Sequence, residues 1–250
     1  MRATTPLIIE SKILSNECFS KDFYLMRAEL MKTARIEAAC MGQFYMLRAW
    51  KNYPILPRPI SVFDEDDKTV SFLYKVAGKG TEIFASLHKG DDISMLGPLG
   101  NSFPGVTGKI ALVGSGVGIA PFYLAAKQLR ALNDSSRIDL YLGFKKTAIL
   151  TEEYKRVADN LILKVGGYIT DDVDPACYDH IMVCGSEAMM RALYEKCKMA
   201  RVEERLSVSM ASRMACGVGA CLVCSCKTKN GNKKTCKEGP IFKGVEVFGI

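Results

Sequence analysis

Four of the ten cysteines stand at a spacing that could do chemistry: Cys216, Cys221, Cys224 and Cys236, reading C-GVGA-C-LV-C and then eleven residues to the last. A single C-x4-C-x2-C loop closed by a fourth cysteine from a nearby segment is the ligand pattern of a plant-type [2Fe–2S] cluster. Thiolates from one loop must converge on a compact centre, and Gly217 and Gly219 let the backbone come close and aim N–H groups at sulfur. Four thiolates would also suit a structural zinc ion. Zinc ribbons, however, usually present two C-x2-C pairs, and this stretch has one. Cys226 lies two residues past Cys224 and would point away in an extended segment, so it reads as a bystander. Cys18, Cys40, Cys177, Cys184 and Cys197 are scattered and read as small buried apolar residues.

Three further stretches could bind a nucleotide. In IALVGSGVGIAPF, Ile110 to Phe122, glycines at 114, 116 and 118 sit between an apolar strand and a helix start. Such a turn lets a phosphate reach the backbone at the positive end of a helix. The spacing is not G-x-G-x-x-G, so the ordinary dinucleotide fingerprint is not met and a tight strand–helix turn would read the same. In PRPISVF, Pro57 to Phe63, Arg58 could pair with a pyrophosphate and the Ser61 hydroxyl could bond a ring nitrogen. In LYKVAGKGT, Leu73 to Thr81, Gly80 and Thr81 could shape an anion-holding turn. Each signal is weak alone, and only their order along the chain is informative.

The elements that must position these residues fall into three zones. Residues 1–102 hold short runs (LIIE, DFYLMRAEL, RPISVF, TVSFLYKV, DDISMLGPLG) punctuated by glycine, proline and aspartate, which predicts an antiparallel barrel or sandwich. Residues 103–206 alternate strands (KIALVG, RIDLYLGF, NLILKV, HIMVCG) with helices (APFYLAAKQLRAL, TEEYKRVAD, SEAMMRALYEKCKMA), with Thr151 and Ser186 placed as N-caps. That alternation predicts a helix-covered parallel sheet, so the chain is read as a multidomain α/β protein. Residues 207–250 are rich in cysteine, glycine and lysine, and are too few for a core without a staple.

Composition bounds the function. With 48% hydrophobic and 24% charged residues the 250-residue chain has the make-up of an ordinary folded protein. The net charge of +7 is spread without blocks and without interleaved aromatics, so nucleic acid is not implied; the surplus reads as a solvated surface or as a complement to anionic cofactors. The start, MRATTPLIIESKILS, lacks a secretory pattern, and the apolar stretch 110–126 is broken by glycines and Pro121 rather than built to span a membrane. Cytoplasmic residence is expected. His88 and His180 read as surface or satisfied histidines, and Met189–Met190 as helix core.

Taken in order, R-P-I-S, then G-K-G-T, then G-x-G-x-G-x-A-P, then Cys184–Gly185 near a strand end resembles the ferredoxin reductase superfamily. The C-terminal CGVGACLVCSCKT…TCKEGPIF resembles one family within it over essentially the whole chain: the electron-transfer subunits of NAD-dependent, heterotetrameric bacterial dihydroorotate dehydrogenases. The resemblance implies an FAD-binding barrel, in which Arg58, Pro59, Ile60 and Ser61 form the first flavin segment, Leu73, Tyr74 and Lys75 the second, and Gly80 with Thr81 the third. It implies that Gly114, Gly116, Gly118 and Pro121 serve NAD(H), that Cys184 and Gly185 approach the nicotinamide, and that Cys216, Cys221, Cys224 and Cys236 ligate the cluster. It implies a partner subunit that oxidises dihydroorotate at its own FMN. No acid or base of this chain is then needed for carbon chemistry. Two departures stand out: Ser115 replaces a frequent glycine, and Ile60 replaces the aromatic of many relatives, so ring stacking must come from elsewhere. Another flavin and iron–sulfur reductase of the superfamily, or a zinc-stapled binding module, would share parts of this pattern.

Overall fold

The computed structural model describes residues 7–30, 37–210 and 213–250, so the first six residues of the expected barrel zone lie outside the described residues. The barrel strands are β1 (Leu7–Ser20), β2 (Phe23–Glu29), β3 (Phe44–Arg48), β4 (Arg58–Glu65), β5 (Thr69–Lys75) and, after helix α1 (Lys79–Ala85), β6 (Asp92–Leu99). They close antiparallel in the order β1-β2-β5-β4-β3-β6. Closure removes the open edges that a flat sheet would leave. Alternation drives it: along β6, Ile93 and Met95 turn inward while Ser94 and Leu96 do not. Inside lie Ile13, Met26, Tyr45, Val62, Phe72 and Ile93.

One barrel strand escaped the sequence pattern. FYMLR, now β3, is a continuous apolar run because both of its faces are covered. Tyr45 and Leu47 fill the barrel. Phe44 and Met46 point the other way and pack against Met214, Cys224 and Cys236.

The second half supplies β7 (Lys109–Ser115), a 3-10 turn at Gly116–Ile119, α2 (Pro121–Leu132), β8 (Arg137–Phe144), α3 (Thr151–Lys155), β9 (Asn160–Val165), β10 (His180–Cys184), α4 (Glu187–Met199) and β11 (Leu206–Ser209). The last stretch adds the hairpin β12 (Ser225–Thr228) and β13 (Gly231–Lys234), then β14 (Ile241–Lys243) and α5 (Gly244–Phe248). The sheet runs β14-β11-β10-β7-β8-β9 and is parallel except for β14, which lies antiparallel to β11. Along β7, Ile110 and Leu112 face α2 and the barrel, while Ala111 and Val113 face α4 and α5. The chain leaves β7 toward β8 on one side and returns through β10 on the other. The crevice between the carboxyl ends of β7 and β10 is therefore the topological switch point where ligands bind in such sheets.

Two local expectations need correction. Helix α3 is one short turn rather than nine residues, and Thr151 is its first residue; Leu150, at φ 56°, occupies the cap position. The helix stops early because Asp159 must reach the neighbouring strand: its N–H donates to Ile138 O at 2.8 Å and its carboxylate accepts from Ile138 N at 2.7 Å. Ser186 does cap α4, accepting from Met189 N at 3.3 Å. Of the scattered cysteines, Cys184 and Cys197 are buried, but Cys18, Cys40 and Cys177 are exposed. Cys18 and Cys177 bond polar oxygens there, Ser20 O and the Asp174 carboxylate, so they are not core fillers.

The expected start of the third zone, residue 207, falls inside β11, and the end of that zone returns to the sheet as β14 and α5. The cysteine-bearing residues leave between these two strands, and Met210 N donates to Pro240 O at 2.8 Å where the stem closes. Asn101 ties this stem to the barrel exit. Its amide donates to Glu238 O (3.0 Å) and Ile241 O (2.8 Å), and its oxygen accepts from Ile241 N (2.9 Å). Asn101→Ala would leave three backbone groups without partners, and a destabilisation of about 2–3 kcal/mol is expected. Urea unfolding measures it; a change under about 0.5 kcal/mol, the size expected of an ordinary surface substitution, would show that the clamp is dispensable.

Candidate functional site

The crevice at the switch point opens into a cleft of about 410 Å³ shared by the barrel and the sheet. Pro59, Ile60 and Ser61 from β4 and Leu73, Tyr74 and Lys75 from β5 line one wall; Ser115, Gly118, Cys184 and Gly185 line the other. Nine residues singled out from the sequence as cofactor candidates, and Ser115 with them, thus meet in one place. The glycines act by different means. A Cβ on Gly118 would lie 2.4 Å from Cys184 O and 2.8 Å from Gly185 N, so only glycine lets the turn close on β10. Gly116 has φ +56° with open space around it, and its role is conformational. Gly114 packs against Ile119 and Phe122 beneath the turn, and Pro121 is the first residue of α2, where a missing N–H costs nothing. Neither lines the cleft. Tyr154, buried, donates to Ile119 O at 2.7 Å and props the turn from below.

Ser115 occupies space rather than opening it: its Oγ would lie 2.7 Å from a Cβ on Gly185, so the two positions are fitted to each other. Burial pushes the Cys184 thiol up to about 11, opposed by a hydrogen bond from Ser209. A neutral, polarizable thiol therefore faces the cleft, not a thiolate. Tyr74 turns its ring into the barrel and donates its hydroxyl to Asn16 at 3.0 Å, which leaves aliphatic Ile60 and Leu73 as the apolar walls. Burial likewise raises the Tyr74 phenol above its usual range and keeps it neutral.

Arg58 opens the same strand, three residues before Ser61. Its guanidinium sits over the Trp50 ring at 5.5 Å and donates to Leu56 O at 2.6 Å. A Cβ on Gly80 would come within 2.6 Å of Arg58 Nε, so the glycine of α1 makes room for the arginine. Thr81 is a positioning residue: its hydroxyl accepts from Ala77 N (2.8 Å) and Gly78 N (3.2 Å) and donates to Gly78 O (2.9 Å), holding the turn shut. A cationic fork beside a glycine-walled recess is a fitting cradle for a pyrophosphate. Trp50 carried no sequence signal; only the fold brings it under Arg58.

A second cleft of about 530 Å³ adjoins the first through Lys75 and Val117. Lys21, Lys145 and Lys146 line it with Gly116 and Phe144. None of the three lysines was marked by a motif, because Lys21 and the adjacent Lys145 and Lys146 are ordinary surface residues until two loops meet.

The four cysteines form two pairs. Val218 N donates to Cys216 Sγ at 3.4 Å, Gly219 N to Cys236 Sγ at 3.1 Å and Cys236 N to Cys224 Sγ at 3.5 Å. Burial raises Cys216, but the backbone N–H groups of Cys221, Val218 and Ala220 and the Cys221 thiol outweigh it and bring the thiol down to about 6. Gly217 (φ +75°) and Gly219 (φ +82°) curl the loop so that these N–H groups converge. At the other pair, burial is outweighed at Cys224 by the N–H and thiol of Cys236 and by Thr235, so Cys224 is lowered. Cys236 is raised by burial and by Cys224 to about 12, so its thiol would give up a proton on binding metal. Among the described residues no three His, Cys, Asp or Glu side chains gather as one metal ion would require. Two thiol pairs bathed in N–H donors suit two irons, each taking two thiolates, better than one tetrahedral zinc. Cys226 turns its side chain toward the core under α4 and α5, as a bystander would.

Strand β3 joins the two centres. Phe44 and Met46 lie opposite Ser61 and Pro59 in the β3–β4 ladder, and their side chains pack on Cys224 and Cys236. A Cβ on Gly217 would fall 2.6 Å from Met46 Cγ, so the cysteine loop rests directly on the strand.

Comparison with known proteins decides the family. A family model described as the iron–sulfur cluster binding domain of dihydroorotate dehydrogenase B matches residues 211–248. The electron transfer subunit of dihydroorotate dehydrogenase B (NAD(+)) from Clostridium acetobutylicum is 45% identical over 83% of this chain and 85% of its own. The chain belongs to the family of these electron transfer subunits. The member from Caldanaerobacter subterraneus is 31% identical over 96% of this chain and 98% of its own. An NADH-dependent reduced ferredoxin-NADP oxidoreductase is 28% identical with a TM-score of 0.83, covering 95% of this chain and 89% of that one. The ferredoxin reductase of carbazole 1,9a-dioxygenase, at 19% identity and a TM-score of 0.67 over 83% and 70% of the chains, shows the shared fold.

As a dihydroorotate dehydrogenase electron transfer subunit, the chain is an oxidoreductase component that works with a catalytic partner. No helix among the described residues is long and apolar enough to cross a membrane.

Proposed function

We propose that this chain carries electrons between a dihydroorotate-oxidising, FMN-containing subunit and NAD⁺, with Cys216, Cys221, Cys224 and Cys236 holding a [2Fe–2S] cluster and the barrel holding FAD. The observation that carries the reading is β3, whose residues pair with the Pro59–Ser61 segment and pack against Cys224 and Cys236. Bound FAD supplies the exchange between the hydride pair of a nicotinamide and the single electrons of a cluster. The chain's residues do the rest. Arg58 clamps the pyrophosphate, with Gly80 making room and Thr81 fixing the turn. Pro59, Ile60, Ser61, Leu73, Tyr74 and Lys75 border the ring and exclude water from one side. Gly114, Gly116, Gly118 and Pro121 shape the NAD(H) turn, and Cys184 with Gly185 presents an uncharged surface to the nicotinamide. Lys21, Lys75, Lys145 and Lys146 give the adjoining cleft a positive rim suited to an anionic dinucleotide.

Exposed Val218, Leu222 and Val223 surround the exposed Cys221, an apolar rim that supports docking of the partner over the cysteine loop in a heterotetramer. Unbridged cysteines suit the cytoplasm. The functional division we assign is residues 1–102 for FAD, 103–206 for NAD and 207–250 for the cluster.

Anaerobic purification of the full chain tests the reading. Flavin bands with a longer-wavelength shoulder, two irons per chain, and bleaching of both features by NADH are expected. A colourless protein with stoichiometric zinc would sink it. Copurification with a dihydroorotate-oxidising subunit is expected, whereas capture of a ferredoxin or hydrogenase alone would move the chain to another reductase role.

A further inference from the structure

Resting on the FAD reading, a part of the cofactor still lacks a seat. Ser61 borders the ring cleft, and Arg58, three residues back along β4, is the pyrophosphate clamp; at about 3.3 Å per residue they lie roughly 10 Å apart. An FAD laid along this strand in that direction carries its adenosine past Arg58 onto residues 49–57, the loop between β3 and β4.

That loop is braced and presents an aromatic ring. Arg48 Nε donates to Trp50 O at 2.8 Å and its guanidinium also reaches Lys51 O. Trp50 Nε1 donates to Pro54 O, and Arg58 itself donates to Leu56 O at 2.6 Å. Both ends of the loop are thus tied, and one tie is the clamp. Yet Tyr53 (71% exposed) and Ile55 (74%) project into solvent, which leaves the Tyr53 ring open to a ligand. Trp50 is not open in this way: Arg58 lies over its ring at 5.5 Å and Phe84 packs on it at 5.5 Å. Among the described residues the other strongly exposed aromatic, Tyr168, is beyond β9 in the sheet half.

We propose that Tyr53 is the platform on which the adenine ring of FAD stacks, the 49–57 loop being prebuilt for it. A flat, weakly hydrated base gains most from a flat side chain held in place beforehand. This seat makes the chain select FAD over FMN, because only the dinucleotide reaches the loop.

The test uses full-length protein stripped of flavin and titrated with FAD and with FMN, followed by flavin fluorescence. Tyr53→Ala is expected to weaken FAD about tenfold, the effect typical of losing one base–aromatic stack, and to leave FMN unchanged. Tyr53→Phe should keep wild-type affinity for both. Equal FAD affinity in wild type and Tyr53→Ala would overturn the proposal. Equal losses for FAD and FMN would overturn it too, by showing that the loop only props Arg58. Wild-type protein that takes up neither flavin would instead refute the FAD reading beneath it.

Discussion

Cys224→Ser is expected to empty the cluster site, lowering bound iron and the long-wavelength absorption at least about tenfold while flavin binding persists. Cys224 is 2% exposed, packed on Phe44, Met46 and Leu99, and accepts the Cys236 N–H at 3.5 Å. A serine oxygen there is a harder, less acidic ligand in an apolar setting that disfavours its ionised form. The flavin cleft is built from β4, β5 and the β7 turn, none of which this side chain supports. Cys226→Ser is the matched control. Its side chain belongs to the far core, so the cluster should remain. Iron analysis and low-temperature electron paramagnetic resonance read both variants. Full iron in Cys224→Ser would remove it from the ligand set, and loss of iron in Cys226→Ser would put that residue into it.

Gly118→Ala should lower kcat/KM for NADH by about a hundredfold, with far-UV circular dichroism unchanged. The new methyl carbon would meet three backbone atoms, the carbonyl C and O of Cys184 and Gly185 N, none of which can rotate away as a side chain tip would. The turn must then shift by something near an ångström, and displacement of that size at a reacting geometry costs about 10² in rate. Gly116→Ala separates this from a general intolerance of the turn. It meets nothing within 4 Å and bears only the left-handed φ of +56°, a cost of about 1–2 kcal/mol in stability. Stopped-flow reduction by NADH distinguishes the two. Equal effects in both variants would show that close approach to β10 is not what the glycine provides.

Four of the six strands of the sheet were legible because each is a short apolar run bounded by turn residues, and RIDLYLGF coincides with β8 residue for residue; β11 and β14, of four and three residues, are too short to show a pattern. Alternation revealed most of the barrel, but not β3, whose two covered faces erase the period. The cysteine spacing pointed to two irons before any geometry was known. What no pattern could carry was convergence. Trp50 under Arg58, Asn101 across the stem, and Lys21 facing Lys145 and Lys146 are ordinary residues until loops far apart in sequence are folded together. Helix α3 is shorter than its local propensity favours because a tertiary demand, Asp159 bonding Ile138, ends it.

The stem formed by β11, β14 and the Met210–Pro240 bond gives the cysteine segment the character of a cartridge clipped into a finished frame. Its two ends enter and leave through neighbouring strands of the sheet, and Cys226 lends its side chain to the edge of the sheet's core. Assembly of iron and sulfide can therefore follow folding of the frame, and damage to the metal can be repaired without dismantling it. With Cys221 at the surface and Cys224 and Cys236 buried behind it, this insertion makes replacement of the metal a local event.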